Sequence, residues 1–221
     1  MERHFFEELN LLKSRLLTMG SITESMVNSA IKALIENDAT VLNTLKEDEG
    51  KVNRFEVDID EHCLKLIALH QPAASNLRFL LGIIKINAEL ERIGDHAENI
   101  SKNVRKVLEY GKVKPFVDLP KMVEIASAMF RESLNAFVNL DVDKAKSILY
   151  RDDLVDELRY KIVTELKQLM TNEPALVNPA VNLILIANNF EKIADHATNI
   201  AEVVIFVAQG KDIRHHFGDP L

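Results

Sequence analysis

Apolar and small residues near the start of the chain fall into one long stripe. Between Phe5 and Ala33 they recur at alternating steps of four and three residues, which is the spacing of one face of an α-helix. The stripe continues through Gly20, although a glycine inside a helix costs about 1 kcal/mol relative to alanine. The pattern therefore predicts one unbroken helix of about eight turns.

Further helical segments follow, and each is bounded by residues that favour caps or turns. Asp38 predicts the N-cap of a short segment over 39–47, and Gly50 then predicts a kink. The helix beyond Gly50 is expected to end before Pro72, and the next helix to cover 73–110. The first half of the chain is therefore predicted to hold three main helices and one short segment.

The second half repeats this order after a linker. The stretch 111–120 begins with a glycine, contains two prolines and interrupts the helical pattern. The spacing of four and three residues then resumes over 122–140. Asp141 predicts the cap of another short segment, a longer helix is predicted over 152–170, and the last helix is expected to end near Gly210.

A ten-residue motif confirms that the two halves are related. The segment 91–100, ERIGDHAENI, reappears 100 residues later over 191–200, and seven of the ten positions are identical. Apolar positions upstream align at a displacement of 103, pairing Val52, Phe55 and Ile59 with Val155, Leu158 and Ile162. The repeat predicts an all-α fold of two tandem, pseudo-symmetric three-helix bundles with six main helices in up-down order. We place the first bundle at 1–112 and the second at 113–221.

Composition narrows the class of function. The 221 residues carry a formal net charge of −7, which disfavours nonspecific nucleic-acid binding because phosphate neutralisation needs clustered Lys and Arg. A single cysteine, Cys63, excludes an intrachain disulfide and fits a reducing compartment. The N-terminus lacks the apolar core of a signal peptide, and no apolar run is long enough to cross a membrane. We therefore expect a cytoplasmic protein that meets the inner membrane only through partners.

The repeated motif aligns carboxylates and amides along one face of a helix. Residues four apart share a face, so Glu91, Asp95 and Asn99 form a column, while the apolar positions lie nearly opposite. The preceding helix carries a second column, and the second repeat carries counterparts of both. The full set of candidate metal ligands is Glu49, Asn53, Glu56, Asp60, Glu91, Asp95, Asn99, Asp152, Asp156, Glu191, Asp195 and Asn199. Oxygen ligands of this kind suit hard cations or oxo-bridged iron.

Other interpretations of these columns stay open. Acidic residues on a helix exterior are most often only solvated, but retention of Asp-His-Ala-x-Asn-Ile in both copies favours a specific ligand. His96 and His196 are rotated away from the acids, so packing or support of a ligand is as reasonable as ligation. A di-iron oxidase needs inward-pointing Glu-x-x-His pairs, whereas the step from Glu91 to His96 is five. We find no phosphate-binding loop and no nucleophile with its base, so we expect no enzyme activity.

The chain resembles the PhoU family along its whole length. The resemblance is carried by the segment 90–100, by its second copy and by the turn Gln71-Pro72-x-x-x-Asn-Leu-Arg78. It implies two three-helix bundles and a cytoplasmic negative regulator of the phosphate-starvation response. It also implies an adaptor that works with the ATPase subunit of the phosphate ABC transporter and with the phosphate sensor histidine kinase. We expect a homodimer and no nucleic-acid partner.

The resemblance also implies metal ions on the Glu/Asp-x-x-x-Asp motifs, as iron or zinc, or another divalent metal such as manganese or magnesium. Carried onto this chain, the implied ligands are Glu91 and Asp95 with Glu56 and Asp60 or with Glu49 and Asn53, and Glu191 and Asp195 with Asp152 and Asp156. Arg159 and Val163 stand where the first repeat has acids, so the two sites are expected to differ. The family often has an aspartate where this chain has Asn76. A metal buffer or sensor with phosphate regulation secondary is the alternative function, and a metallo-hydrolase or oxidase is a third.

Overall fold

The described part of the chain is built from helices. The structure is a computed structural model, and it describes residues 2–110 and 118–213. Over these residues it contains seven α-helices and no strand: α1 Glu2–Glu36, α2 Leu45–His70, α3 Ala74–Leu108, α4 Asp118–Asn139, α5 Val142–Leu149, α6 Asp152–Asn172 and α7 Val177–Gln209. Two short 3-10 turns, Ala39–Leu42 and Pro174–Leu176, precede α2 and α7. None of these helices is long and apolar enough to cross a membrane.

The cap residues predicted from the sequence act as helix boundaries in the structure. The Asp38 carboxylate accepts a hydrogen bond from the backbone N–H of Thr40 at 2.8 Å, and Asp141 does the same for Lys144 at 2.9 Å. Gly210 ends α7 in the left-handed conformation, at φ 71°, which glycine adopts without steric cost. These three predictions are confirmed.

Two predicted boundaries differ from the structure. No break separates a short segment from α2 at Gly50, because α2 already begins at Leu45, whose side chain is buried in the core. Helix α4 begins at Asp118, inside the predicted linker, since Pro120 lies in its first turn, where a missing N–H breaks no helical hydrogen bond. The rest of that linker, 111–117, lies outside the described residues.

The helices form two bundles that share a central contact. Helices α1, α2 and α3 pack together, as do α4, α6 and α7, with the short α5 lying against α7. Helices α3 and α7 pack along each other, so α2, α3, α7 and α6 form a four-helix layer in that order, with α1 and α4 behind it. The all-α fold of paired three-helix bundles is confirmed. The division at 112/113 falls among undescribed residues and stays a prediction.

The central contact brings α3 and α7 together in antiparallel orientation. Gly82, near the start of α3, lies against Val203 and Val207 near the end of α7. Farther along, His96 of α3 meets Asn189, which lies nearer the start of α7. A side chain at Gly82 would collide with Val207, so glycine permits the two helices to approach closely.

The apolar column of the repeated motif forms the core, as predicted. Leu90, Ile93, Ala97 and Ile100 are fully buried, and so are their counterparts in α7. Because the carboxylate column lies on the opposite side of each helix, its side chains emerge on the exposed face of the four-helix layer.

Candidate functional site

Carboxylates gather in two grooves between neighbouring helices. We call the groove between α2 and α3 the first seam; its acids are Glu49, Glu56, Asp60, Glu91 and Asp95. We call the groove between α6 and α7 the second seam; its acids are Asp152, Asp156, Glu191 and Asp195. The two seams therefore contain nine of the twelve residues proposed as ligands, all of them acids, and a tenth, Asn53, contacts Glu49 in the first seam.

Like charges crowd the first seam. The pKa of Glu56 is raised by burial and then by the carboxylates of Asp60 and Asp95. Burial likewise raises the pKa of Glu91, followed by the charges of Asp95 and Glu56. An acid whose pKa is raised in this way gains from any cation that enters the seam.

Among the described residues, no lysine or arginine forms an ion pair with the acids of the first seam. Arg92 weakens the repulsion from a distance, but its guanidinium donates to Glu89 at 2.9 Å instead. The neutral amide of Asn53 donates to Glu49 at 2.7 Å. The negative charge of this seam is therefore left largely uncompensated.

Asn87 supports the first seam from inside the protein. Its side chain is 0 % exposed, and its Nδ2 donates to Asp60 Oδ1 at 2.9 Å and to the backbone oxygen of Glu56 at 2.8 Å. Its own Oδ1 is buried without a hydrogen-bond partner. Asn87 was not among the residues predicted from the sequence, although an amide three positions before Leu90, on an otherwise apolar face, was the signal that could have identified it.

The second seam is partly neutralised. The pKa of Asp152 is raised to about 6, first by burial and then by the charges of Asp195 and Asp156. Lys192 offsets part of this charge, because its Nζ lies 2.8 Å from Asp195 Oδ2 and 3.2 Å from Glu191 Oε2. The two seams therefore differ in charge compensation, while the expected difference in metal occupancy stays a prediction.

The two seams suit a hard cation in their chemistry. Their donors are carboxylate oxygens, the ligands that Mg²⁺, Mn²⁺ and oxo-bridged iron prefer. Burial, and then the neighbouring carboxylates, raises the pKa of Glu56, Glu91 and Asp152, so a bound cation would stabilise their ionised forms. Within 2–110 and 118–213, however, no three His, Cys, Asp or Glu side chains already converge closely enough to hold an ion. Carboxylates of neighbouring helices would have to turn toward one another to share one.

The histidines of the motif lie between the seams, at the contact of α3 with α7. The rings of His96 and His196 stack with their centroids 5.2 Å apart. His96 Nδ1 lies 2.8 Å from Asn189 Oδ1, and His196 Nδ1 lies 2.7 Å from Glu89 Oε2. Since positions 89 and 189 correspond in the repeat, the bonds are related by the pseudo-twofold symmetry. The pairing gives both histidines a packing role.

The contact between α3 and α7 also positions one of the two amides of the motif, that of Asn199. Asn199 Nδ2 donates to Glu89 Oε2 at 2.9 Å, so its amide is bound across α3–α7. Burial alone would raise the pKa of Glu89, but hydrogen bonds from His196 and Asn199 lower it overall. The backbone oxygen of Asn99 accepts a hydrogen bond from the side-chain amide of Asn103. Neither asparagine is brought to a seam by these contacts.

A chain of charged contacts joins the first seam to the second across the exposed face. Arg92 lies near Glu56 and pairs with Glu89, which in turn bonds His196. Residue 196 follows Asp195, a member of the second seam. The first and second seams are thus neighbours on one surface.

Similarity to known proteins extends over both bundles. The model of the PhoU domain matches residues 16–104 and again 119–204. A Pseudomonas aeruginosa protein named as a homolog of phosphate-specific transport system accessory protein PhoU is 35% identical over 216 residues, covering 97% of this chain and 89% of that protein. The Escherichia coli K12 accessory protein PhoU is 33% identical, covering 98% and 90%.

Solved structures agree with the sequence relatives. The crystal structure of PhoU from Pseudomonas aeruginosa superposes with a TM-score of 0.90 at 35% identity, covering 94% of this chain and 100% of that one. The phosphate transport system regulatory protein PhoU from Streptococcus pneumoniae gives a TM-score of 0.87 at 27% identity, covering 94% and 98%. With both repeats matched by the domain model and the whole fold shared with solved members, the chain belongs to the PhoU family.

Proposed function

We propose that this protein is a cytoplasmic regulator of phosphate transport that dampens the phosphate-starvation response when phosphate is plentiful. The observation that supports this proposal is full-length similarity to proteins named as accessory or regulatory proteins of phosphate transport. The similarity includes both bundles and therefore the whole exposed face that carries the two seams. We therefore expect this chain to act through the same face as those relatives.

The protein acts by binding partners and carries out no reaction of its own. Its partners are the ATPase subunit of the phosphate ABC transporter and the phosphate sensor histidine kinase, and a homodimer is the expected assembly. The exposed face of the four-helix layer supports this proposal, because uncompensated carboxylates attract basic patches on other proteins. Contact with the membrane then comes through the transporter.

Metal ions adjust this face. Glu56, Asp60, Glu91 and Asp95 would hold iron, zinc, manganese or magnesium at the first seam, where no cation of the described chain competes. A bound cation would neutralise the seam and fix the relative positions of α2 and α3. At the second seam, Lys192 already occupies Asp195 and Glu191, so affinity there is lower.

Complementation tests the regulatory proposal. An Escherichia coli strain lacking its own PhoU is supplied with this gene, and alkaline phosphatase activity is measured in phosphate-rich medium. The proposal predicts repression by the wild-type chain and loss of repression by the double variant Glu91→Ala, Asp95→Ala. The matched control, Asp58→Ala with Glu61→Ala, removes two exposed acids from α2 outside the seam and should still repress.

Metal content separates regulation from metal storage. Purified wild-type chain is loaded with each metal, desalted and analysed for metal per chain. Tight uptake of a metal by a chain that leaves the phosphatase unrepressed would favour the metal buffer or sensor and contradict the regulatory proposal. Repression by a chain that binds no metal would support the regulatory proposal and exclude a role for metal in it.

A further inference from the structure

A cavity opens on the second seam beside the carboxylates. It has a volume of about 350 Å³ and is lined by Arg159, Leu185, Asn188, Asn189, Glu191 and Lys192. This volume suits a small ligand. The cavity lies between α6, which contributes Arg159, and the exposed side of α7, which contributes the other lining residues.

One position of this cavity carries a charge opposite to that of its counterpart in the first seam. At the displacement of 103 that aligns α2 with α6, Arg159 corresponds to Glu56. A guanidinium therefore stands where the first repeat has a carboxylate. The site that the repeat predicts as a cation site has become, at this position, a site with a positive charge.

Arg159 has no partner within the described residues. No carboxylate forms an ion pair with it, and its Nε is buried without a hydrogen-bond acceptor. Other cations of this face are paired, since Arg92 bonds Glu89 and Lys192 bonds Asp195. A buried N–H such as that of Arg159 Nε loses its hydration without gaining a hydrogen bond, which an anionic ligand in the cavity would correct.

Asn188 sets a second requirement for the ligand, in addition to the negative charge that suits Arg159. Its Oδ1 is also buried without a donor, while the neighbouring Asn189 has its Oδ1 at the ring of His96 and its Nδ2 on the backbone oxygen of Leu185. Both unpartnered atoms are closed to solvent, so the two side chains must turn toward the cavity before a ligand there can accept a hydrogen bond from Arg159 and donate one to Asn188. Ionised carboxylate and sulfate accept but cannot donate.

We propose that this cavity binds a hydrogen phosphate group, with Arg159 donating to an anionic oxygen and Asn188 Oδ1 accepting from the P–OH. Inorganic phosphate keeps one P–OH at neutral pH, whereas a phosphate monoester, with a second pKa of about 6, has largely lost its own. The donor and acceptor pattern therefore favours free phosphate over the phosphoryl group of a partner protein. Lys192 adds positive charge at the rim, partly offset by Glu191.

The meaning of this site for regulation rests on the proposed function, because a regulator of phosphate transport gains a direct input if it binds phosphate. Binding itself is independent of that function and is measured on purified protein. A chain that binds phosphate but fails to repress alkaline phosphatase would retain the site and lose the function. A chain that represses without binding phosphate would do the reverse.

Isothermal titration calorimetry tests the proposal with chelator-treated full-length protein at neutral pH, titrated with inorganic phosphate, sulfate or phenyl phosphate. We expect phosphate to bind at least about tenfold more tightly than the other two, since one charge-assisted hydrogen bond is worth this factor or more. Arg159→Gln should weaken phosphate binding at least about tenfold. Asn188→Ala should bring the affinities for phosphate and sulfate together.

The control variant is Arg131→Gln, which removes an exposed guanidinium on α4 and should leave phosphate affinity unchanged. Circular dichroism of each variant establishes that it is folded. Absence of phosphate binding by the wild-type chain, equal affinity for sulfate, or unchanged affinity in Arg159→Gln would each overturn the proposal. Arg159-dependent binding that is tightest for phenyl phosphate would overturn the assignment to free phosphate.

Discussion

Asn87 offers the sharpest test of how the first seam is built. Replacing it by alanine removes two hydrogen bonds made by a fully buried side chain, one to the carboxylate of Asp60 and one to the backbone oxygen of Glu56. A bond to a charged group contributes about 1.5–3 kcal/mol and one to a neutral carbonyl about 1 kcal/mol. Since Asp60 is only partly buried, water replaces some of the loss. We expect Asn87→Ala to lower the free energy of unfolding by about 2–3 kcal/mol.

The residues at the corresponding positions of the second repeat suggest a double variant to compare with Asn87→Ala. Position 187, which corresponds to Asn87, is alanine, and Val163 corresponds to Asp60. The double variant Asn87→Ala, Asp60→Val therefore installs in the first seam the pair that the second repeat already carries. Because each single change removes the same charge-assisted bond, the double variant should cost about 1–2 kcal/mol less than the sum of the single variants.

Urea unfolding of the chelator-treated chain measures all four members of this cycle. Chelation removes any contribution of bound metal from the comparison. Additivity of the two single changes to within about 0.5 kcal/mol would mean that Asn87 and Asp60 do not act together. That result would contradict the conclusion that their 2.9 Å contact stabilises the folded chain.

Three further changes test other parts of the structure. Because the folded-state pKa of Asp152 is raised to about 6 from 3.8, its contribution to stability is present below pH 4 and lost as pH rises through 6. Asp152→Asn should therefore stabilise the metal-free chain at pH 7.5 but not at pH 4 in thermal unfolding, by on the order of 1 kcal/mol after allowing for solvent screening. Lys192→Met removes the ion pairs to Asp195 and Glu191 and should raise the divalent-cation affinity of the second seam about threefold. This affinity is measured by calorimetry in a chain whose first-seam acids have been replaced. Gly82→Ala should destabilise the chain by about 1–3 kcal/mol in urea, because the added methyl meets the facing valines of α7.

The helices and their buried faces could be predicted because periodicity records which side of a helix is apolar. The stripe from Phe5 to Ala33 and the column around Leu90 and Ile93 occupy the core as expected. The start of α2 could not be read in the same way. Leu45 extends the helix by burying its side chain against other elements, and that gain depends on tertiary packing.

The partners of polar side chains were harder to predict than their faces. Spacing places Asn199 in the same column as Asp195. Because α3 and α7 pack in antiparallel orientation, however, the Asn199 amide donates a hydrogen bond to Glu89. The same packing turns His96 and His196 toward each other. A repeated motif fixes the angle of a residue around its own helix, and only the neighbouring helix decides what that residue meets.

We propose that this chain regulates phosphate transport by binding the transport machinery through its carboxylate face. The most direct measurement is the affinity of the purified chain for the ATPase subunit of the phosphate transporter and for the sensor histidine kinase of the same organism. We expect saturable binding that Glu91→Ala with Asp95→Ala weakens at least about tenfold, while Asp58→Ala with Glu61→Ala leaves it unchanged. No binding to either partner, or equal binding by both double variants, would contradict it.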